Sequence, residues 1–227
     1  MTDKPSNSQF ARVFDRIAPK YDKVTNSYAV SRRISFITKY AKGKCLEVGA
    51  GSGEISKSLL SKHEVIATDI SPKMVDVIKK KLKIKTFVCD AEKLPFKNSS
   101  FDTVIASETI YYLDHPESFV KESFRVLKNN GKIIITSASK ITEAYDRIRT
   151  MLRKVGFGLM YFDDKNRKFM SLKEIGDLLI NNGFKVKKNE MAILLPLRSF
   201  DKINRLLEKT LLKCFCGFIF IYGEKTE

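Results

Sequence analysis

Residues Cys45-Leu46-Glu47-Val48-Gly49-Ala50-Gly51-Ser52-Gly53 constrain the fold more than any other stretch of this chain. A short apolar strand runs into Gly49, glycines follow at positions 51 and 53, and a helix is expected from Gly53 to Leu60. Glycine lacks Cβ, so the backbone here can turn sharply and come close to a ligand. The helix that follows then offers free N–H donors. A strand that turns at once into a helix is the opening of a unit built for a parallel sheet.

The remaining pattern extends that unit. His63–Thr68 and Ile84–Cys89 read as strands, separated by a helix that Pro72 begins and Ser71 caps. Phe101–Ala106 is a fourth strand, after the turn Asn98-Ser99-Ser100. A helix over Pro116–Leu127 is expected to stop at Asn129-Asn130-Gly131, ahead of a strand Lys132–Thr136. Ser171-Leu172-Lys173-Glu174 is a capping box for a helix that stops at Asn181-Asn182-Gly183. Two late strands, Phe184–Leu195 and Phe215–Tyr222, flank a helix near Phe200–Leu212. Ahead of the glycines lie helices Gln9–Tyr21, ended by Pro19, and Tyr28–Tyr40. Strands alternating with helices imply an α/β, doubly wound, mostly parallel sheet.

At 227 residues, 43% hydrophobic and 30% charged, the chain suits one soluble domain spanning 1–227. The polar start Met1–Gln9 shows no secretory signal, and Ala192–Leu197 and Cys214–Tyr222 are too short to cross a membrane. A cytoplasmic protein is therefore expected. With two histidines, four cysteines and no C-x-x-C pair, no metal site is expected. A net charge of +16 admits nucleic acid, an anionic membrane surface or an acidic substrate as partners. The densest run, Lys79, Lys80, Lys81, Lys83 and Lys85, closes a helix, where cations suit the helix dipole and face water.

Open α/β sheets bind ligands at the carboxyl ends of their strands. Three successive strand ends here carry matching groups. The glycine turn departs from the dinucleotide fingerprint, because Glu54 stands where the third glycine is required. A carboxylate at that helix start repels a pyrophosphate and favours a nucleoside without phosphates. Asp69 closes the second strand, where a carboxylate accepts both ribose hydroxyls. Its alternative role is a turn aspartate. Asp90 and Ala91 follow the third strand and supply an acceptor and a backbone donor of the kinds adenine needs. Asp90 also suits an Asx turn.

In order and spacing these segments resemble class I S-adenosylmethionine-dependent methyltransferases. The resemblance is carried by Leu46–Gly53, Thr68-Asp69-Ile70-Ser71-Pro72-Lys73-Met74, Cys89-Asp90-Ala91-Glu92-Lys93-Leu94-Pro95-Phe96, Phe101-Asp102-Thr103-Val104 and Phe124–Gly131. It covers roughly residues 10 to 140. Within the class the chain is most similar to the small-molecule enzymes typified by ubiquinone and menaquinone biosynthesis, whose entrance segment Phe14–Asp22 resembles. The resemblance implies a Rossmann-like, seven-stranded sheet with an antiparallel last strand. It implies an N-terminal helical lid over 1–42, a cofactor-binding core over 43–140, a substrate-covering insertion over 141–182 and a strand-helix-strand ending over 183–227. It further implies that Gly49, Gly51 and Gly53 shape the pocket around the methionine part of S-adenosylmethionine, with Glu47 orienting the loop. Asp69 would hold the ribose, Ile70 and Met74 would sandwich the adenine, and Asp90 with Ala91 would read its edge. Ser107 would line the floor and Tyr21 would close over the cofactor, with S-adenosylhomocysteine as product.

The sulfonium activates the methyl group, so transfer is an in-line displacement in which the protein aligns the reactants and excludes water. An acceptor that must lose a proton needs a base, for which Glu108, Tyr111 and His115 are the candidates. His115 precedes Pro116, where capping is its alternative role. Ser107-Glu108-Thr109-Ile110 does not resemble the proline-rich tetrapeptide of amino-methylating nucleic-acid enzymes, and no cysteine stands where carbon-5 cytosine enzymes need one. The stretch Tyr145–Met170 is rich in aromatic residues and Met, which suits either an apolar acceptor such as a quinone or isoprenoid, or ordinary packing. Another RNA or nucleic-acid methyltransferase and a non-catalytic cofactor-binding module are the alternatives. Peripheral membrane contact is compatible with the basic surface, and no oligomeric state follows from the sequence.

Overall fold

The computed structural model describes residues 7–18, 27–142, 167–192 and 217–226. Helices α1 (Asn7–Ile17) and α2 (Ser27–Tyr40) lead into strand β1 (Lys44–Val48). Then come α3 (Glu54–Leu59), β2 (Glu64–Asp69), α4 (Pro72–Leu82), β3 (Lys85–Val88) and β4 (Phe101–Ser107). A 3-10 turn at Ile110–Tyr112 precedes α5 (Pro116–Val126), β5 (Leu127–Ala138), α6 (Leu172–Asn181), β6 (Phe184–Ala192) and β7 (Phe218–Lys225).

The seven strands form one sheet in the order β3-β2-β1-β4-β5-β7-β6. β1 to β5 pair in parallel, whereas β7 is antiparallel to both β5 and β6. The expected antiparallel last strand is present. From β1 the chain winds outward through β2 and β3, then returns to β4 on the other flank. The reversal opens a crevice at the carboxyl ends of β1 and β4, where open α/β sheets take their ligands.

Both faces of the sheet are covered at its centre, so β1, β4 and the later half of β5 are buried at successive positions rather than alternating. Leu46, Val104, Ala106, Ile133 and Ile135 pack on one face with Phe119 and Val120 of α5 and Ile175 and Leu179 of α6. The intervening Cys45, Ile105 and Ile134 pack on the other with Phe36 and Ile37 of α2 and Ile55 and Leu59 of α3.

Local signals hold at most boundaries. Ser71 accepts the Met74 amide at 3.1 Å as the cap of α4, and Ser171 with Glu174 forms the capping box of α6. The boundary after α5 differs from expectation. The helix ends at Val126, and β5 starts at Leu127 rather than after Gly131. Leu127 is fully buried and pairs with Phe101, while the Ser99 and Ser100 amides satisfy the carbonyls of Arg125 and Val126. Asn130, at φ 58°, then lies inside an irregular strand rather than at a helix cap. α1 stops at Ile17, short of the expected Tyr21, consistent with Pro19 disfavouring helical backbone ahead of it. The expected helix Phe200–Leu212, the segment 193–195 of the late strand, Cys214, Cys216 and Tyr21 lie outside the described residues. Among the described residues no helix is long and apolar enough to cross a membrane.

Arg125 anchors the loop that returns from β3. Its guanidinium donates to Phe96 O at 2.7 Å, Leu94 O at 2.9 Å and Asn98 Oδ1 at 2.9 Å, and it pairs with Glu122 at 2.7 Å. Glu122 accepts the Leu94 amide at 2.8 Å, which completes the clamp. Arg125→Met keeps the apolar stem and removes these bonds. It is expected to cost about 1–3 kcal/mol in urea unfolding, with an unchanged slope against denaturant.

Candidate active site

The crevice at the strand ends holds about 640 Å³ of space, counting the part that opens to solvent. One end is formed by Asp69 and Ile70 after β2 and by Cys89, Asp90 and Ala91 after β3. The other is formed by Ser107, Glu108 and Thr109 after β4, with Tyr112 and Leu113 beyond. Val48, Gly49 and Gly51 lie between them.

The glycine loop explains its own composition. Gly49, Gly51 and Gly53 have φ of 68°, 55° and 80°, the left-handed region that side chains disfavour. At Gly49 space is also lacking, because a Cβ would sit 2.4 Å from Thr109 Oγ1. That hydroxyl donates to Val48 O at 3.1 Å and holds the β4 end against the loop. The Gly51 amide donates to Asp69 Oδ2 at 2.8 Å, and the Ser71 amide donates to Oδ1 at 2.9 Å. Asp69 therefore braces two loops while forming part of the cavity wall. Two neutral-backbone donors leave it further lone pairs for hydroxyl donors.

Burial dominates the electrostatics. Asp69 is 6% exposed, and desolvation pushes its carboxyl up to about 6 despite the amides of Ser71 and Gly51. Glu47, 2% exposed, is pushed up to about 7 by burial, against the bond donated by Ser56 Oγ and the pull of Arg33. Cys89 on the wall is raised to about 11 by burial, which keeps it a neutral thiol.

The expected site residues divide clearly. Gly49, Gly51, Asp69, Ile70, Asp90, Ala91 and Ser107 share the cavity wall. Asp90 Oδ1 also accepts the Glu92 amide at 2.9 Å, the Asx turn weighed as its alternative. Glu47 lines a smaller neighbouring space of about 430 Å³ on the far side of the glycine loop, with Gly49, Gly51 and Ser107 common to both. Gly53 caps α3 and lines neither. Met74 is fully buried and does not line the cavity, so it stands apart from Ile70.

Of the base candidates, Glu108 alone is on the wall. Tyr111 is buried behind it, donating its hydroxyl to Glu108 Oε2 at 3.0 Å. His115 is exposed at the start of α5, where its amide donates to Glu92 Oε1 at 2.8 Å. Of the aromatic and Met stretch 145–170, residues up to 166 lie outside the described residues. Phe169 packs on Tyr111 with ring centres 5.1 Å apart, and Met170 packs against the main core.

Other wall residues come from α1. Phe10 and Phe14, one helical turn apart, meet Tyr112 edge-on at 5.3 and 5.1 Å and line the cavity. Phe14 opens the entrance segment Phe14–Asp22, whereas Phe10 precedes it. Asp15 accepts Ser71 Oγ at 2.5 Å and the Lys73 amide at 3.2 Å, which fixes α1 over the N-terminus of α4. Arg33 of α2 lines the smaller space, and nothing in the sequence near it distinguished it from other surface cations.

Comparison with known proteins places this geometry in context. A family model described as a methyltransferase domain matches residues 46–135. An uncharacterized protein of Methanocaldococcus jannaschii is 31% identical over 195 residues, which is 85% of this chain and 90% of that protein. The mitochondrial 2-methoxy-6-polyprenyl-1,4-benzoquinol methylase of Caenorhabditis elegans is 28% identical, over 76% of this chain and 71% of its own. The crystal structure of a SAM-dependent methyltransferase from Thermotoga maritima, a possible histamine N-methyltransferase, superposes with a TM-score of 0.73 at 23% identity, over 95% and 99% of the two chains.

Two expectations follow from the site. Gly49→Ala forces both the backbone strain and the contact with Thr109, so it should destabilise the fold by about 1–3 kcal/mol in urea unfolding. The raised carboxyls of Glu47 and Asp69 bind a proton more tightly in the folded chain than in the unfolded one. Their stabilising contribution is present below the ordinary carboxylate range and is lost as pH rises through about 6 and about 7. Glu47→Gln, which stays neutral, should therefore raise the Tm of the ligand-free protein more at pH about 8 than at pH about 5. Equal shifts at both would refute the buried-charge account.

Proposed function

The chain belongs to the class I S-adenosylmethionine-dependent methyltransferases, and we propose that it methylates a small, apolar acceptor that enters beside α1 and the β4 end. The observation that carries this is the mixed wall of the main cavity. Polar groups suited to a nucleoside line the β2 and β3 ends, and the same wall carries a cluster of three aromatic rings, Phe10, Phe14 and Tyr112.

The residues present fit the cofactor. The glycine loop brings backbone to the cavity wall at Gly49 and Gly51, and Asp69 is held by the Gly51 and Ser71 amides with lone pairs to spare for ribose hydroxyls. Asp90 and the Ala91 amide are the groups for the adenine edge, with Ile70 against its face. Arg33, in the adjoining space, is the cation available to the methionine carboxylate. When bound, S-adenosylmethionine supplies an electrophilic methyl group. The protein's own part is to hold donor and acceptor in line and keep water out, which the aromatic side of the cavity suits. A quinol or isoprenoid-like acceptor is favoured by those rings and by the nematode relative, a methylase of a polyprenyl benzoquinol.

Calorimetric titration tests the foundation. S-adenosylmethionine and S-adenosylhomocysteine should bind with Kd of order micromolar, and NADH should not. Asp69→Ala should weaken both sulfur ligands by about 10- to 100-fold, the loss expected for a buried, charged hydrogen-bond acceptor. Binding of NADH in place of the sulfur ligands would overturn the proposal.

A further inference from the structure

Glu108 is the wall residue that the roles above leave unused. It follows β4 directly at φ 58°, a backbone conformation that a residue with a side chain adopts at a cost. Its Oε2 accepts the Tyr111 hydroxyl at 3.0 Å, but its Oε1 is shielded from water and has no hydrogen-bond partner among the described residues. Other acids on the same wall accept backbone amides, Asp69 from Gly51 and Ser71 and Asp90 from Glu92. Burial raises the Glu108 carboxyl above its ordinary range, with Arg33, the Tyr111 hydroxyl, the backbone at Ala138 and Arg167 pulling it back. A strained, desolvated and half-satisfied acid is costly to the fold, and native proteins keep such groups chiefly where a ligand completes them.

The position of Glu108 limits what that ligand can present. The groups suited to adenosine stand at the β2 and β3 ends, on the opposite flank of β1 from β4. A nucleoside seated there directs its 5′ substituent across Gly49 toward the β4 end. In this family that substituent carries sulfur, which is positively charged before methyl transfer and neutral after it. A carboxylate in a low-dielectric wall acts on such a charge across several ångströms, without touching it.

We propose that Glu108 is the residue that selects the charge state of the cofactor: its carboxylate, oriented by Tyr111, favours the sulfonium donor over the neutral thioether product. The inference rests on the methyltransferase function proposed above. It gives the strained β4 end a use, because loss of the positive charge on transfer removes the attraction and promotes exchange of product for fresh donor. Arg33 and Arg167 face the same carboxylate and limit the size of the effect.

The test is calorimetry on the full chain in mildly alkaline buffer with three ligands. They are S-adenosylmethionine, S-adenosylhomocysteine and sinefungin, whose amine places a positive charge where the methylsulfonium stands. Glu108→Gln removes the charge and keeps the shape. It should lower the preference for the two cationic ligands over S-adenosylhomocysteine by about tenfold, leaving the affinity for S-adenosylhomocysteine within about twofold. Tyr111→Phe, which keeps Glu108 but removes the hydroxyl that orients its carboxylate and favours its charged form, should lower the same ratio by a smaller factor and serves if the first variant melts early. An unchanged ratio, or equal weakening of all three ligands, overturns the proposal and leaves the methyltransferase function standing. Failure of the unaltered protein to bind any of them overturns both.

Discussion

The site depends on one carboxylate. Asp69 ends β2, and its oxygens take the amides of Gly51 from the preceding loop and Ser71 from the following one. Because β1 and β2 are neighbours in register, this single side chain fixes the glycine loop to the start of α4. Ser71 passes the constraint on, capping Met74 with its oxygen and donating its hydroxyl to Asp15 of α1. A chain of hydrogen bonds thus runs from the glycine loop and the end of β2 to the helix that carries Phe10 and Phe14. The two ends of the cavity are positioned by the same network.

That network is held in an environment that disfavours charge. Glu47, Asp69 and Glu108 all have carboxyls raised by burial, and all lie at the carboxyl ends of β1, β2 or β4. The surrounding core is apolar on both faces of the sheet, so these acids are desolvated by the packing that stabilises the fold. Sites that hold ligands often carry such a conflict, because groups poised for a ligand are incompletely satisfied without one. Gly49 expresses the same principle sterically, since the Thr109 hydroxyl occupies the space a side chain would need.

Much of this was legible in the residue order. The change from strand to helix spacing around Gly49–Gly53, the Ser71-Pro72 start of α4 and the Ser171–Glu174 capping box are local signals, and each forms as expected. That the residues after β2 and β3 line a cavity was legible because strand ends are where this sheet type opens its crevice. The Asn129-Asn130-Gly131 turn misled, because burial of Leu127 beside Phe101 outweighed the local preference for a helix cap. Met74 is buried and does not line the cavity, since its spacing within the motif says nothing about which side of α4 faces it.

By itself the sequence determined the α/β class, the order of elements and the polar groups at the β2 and β3 ends, because these follow from short-range spacing and the chemistry of a few residues. Only the tertiary structure decided which distant residues meet there. It brought Phe10 and Phe14 against Tyr112, set Arg33 behind the glycine loop, removed His115 from the cavity, and left Glu108 strained and half-satisfied in its wall. Those juxtapositions arise from packing between elements far apart in the chain, and burial and dielectric, which set the chemistry of a carboxylate, exist only once that packing has formed.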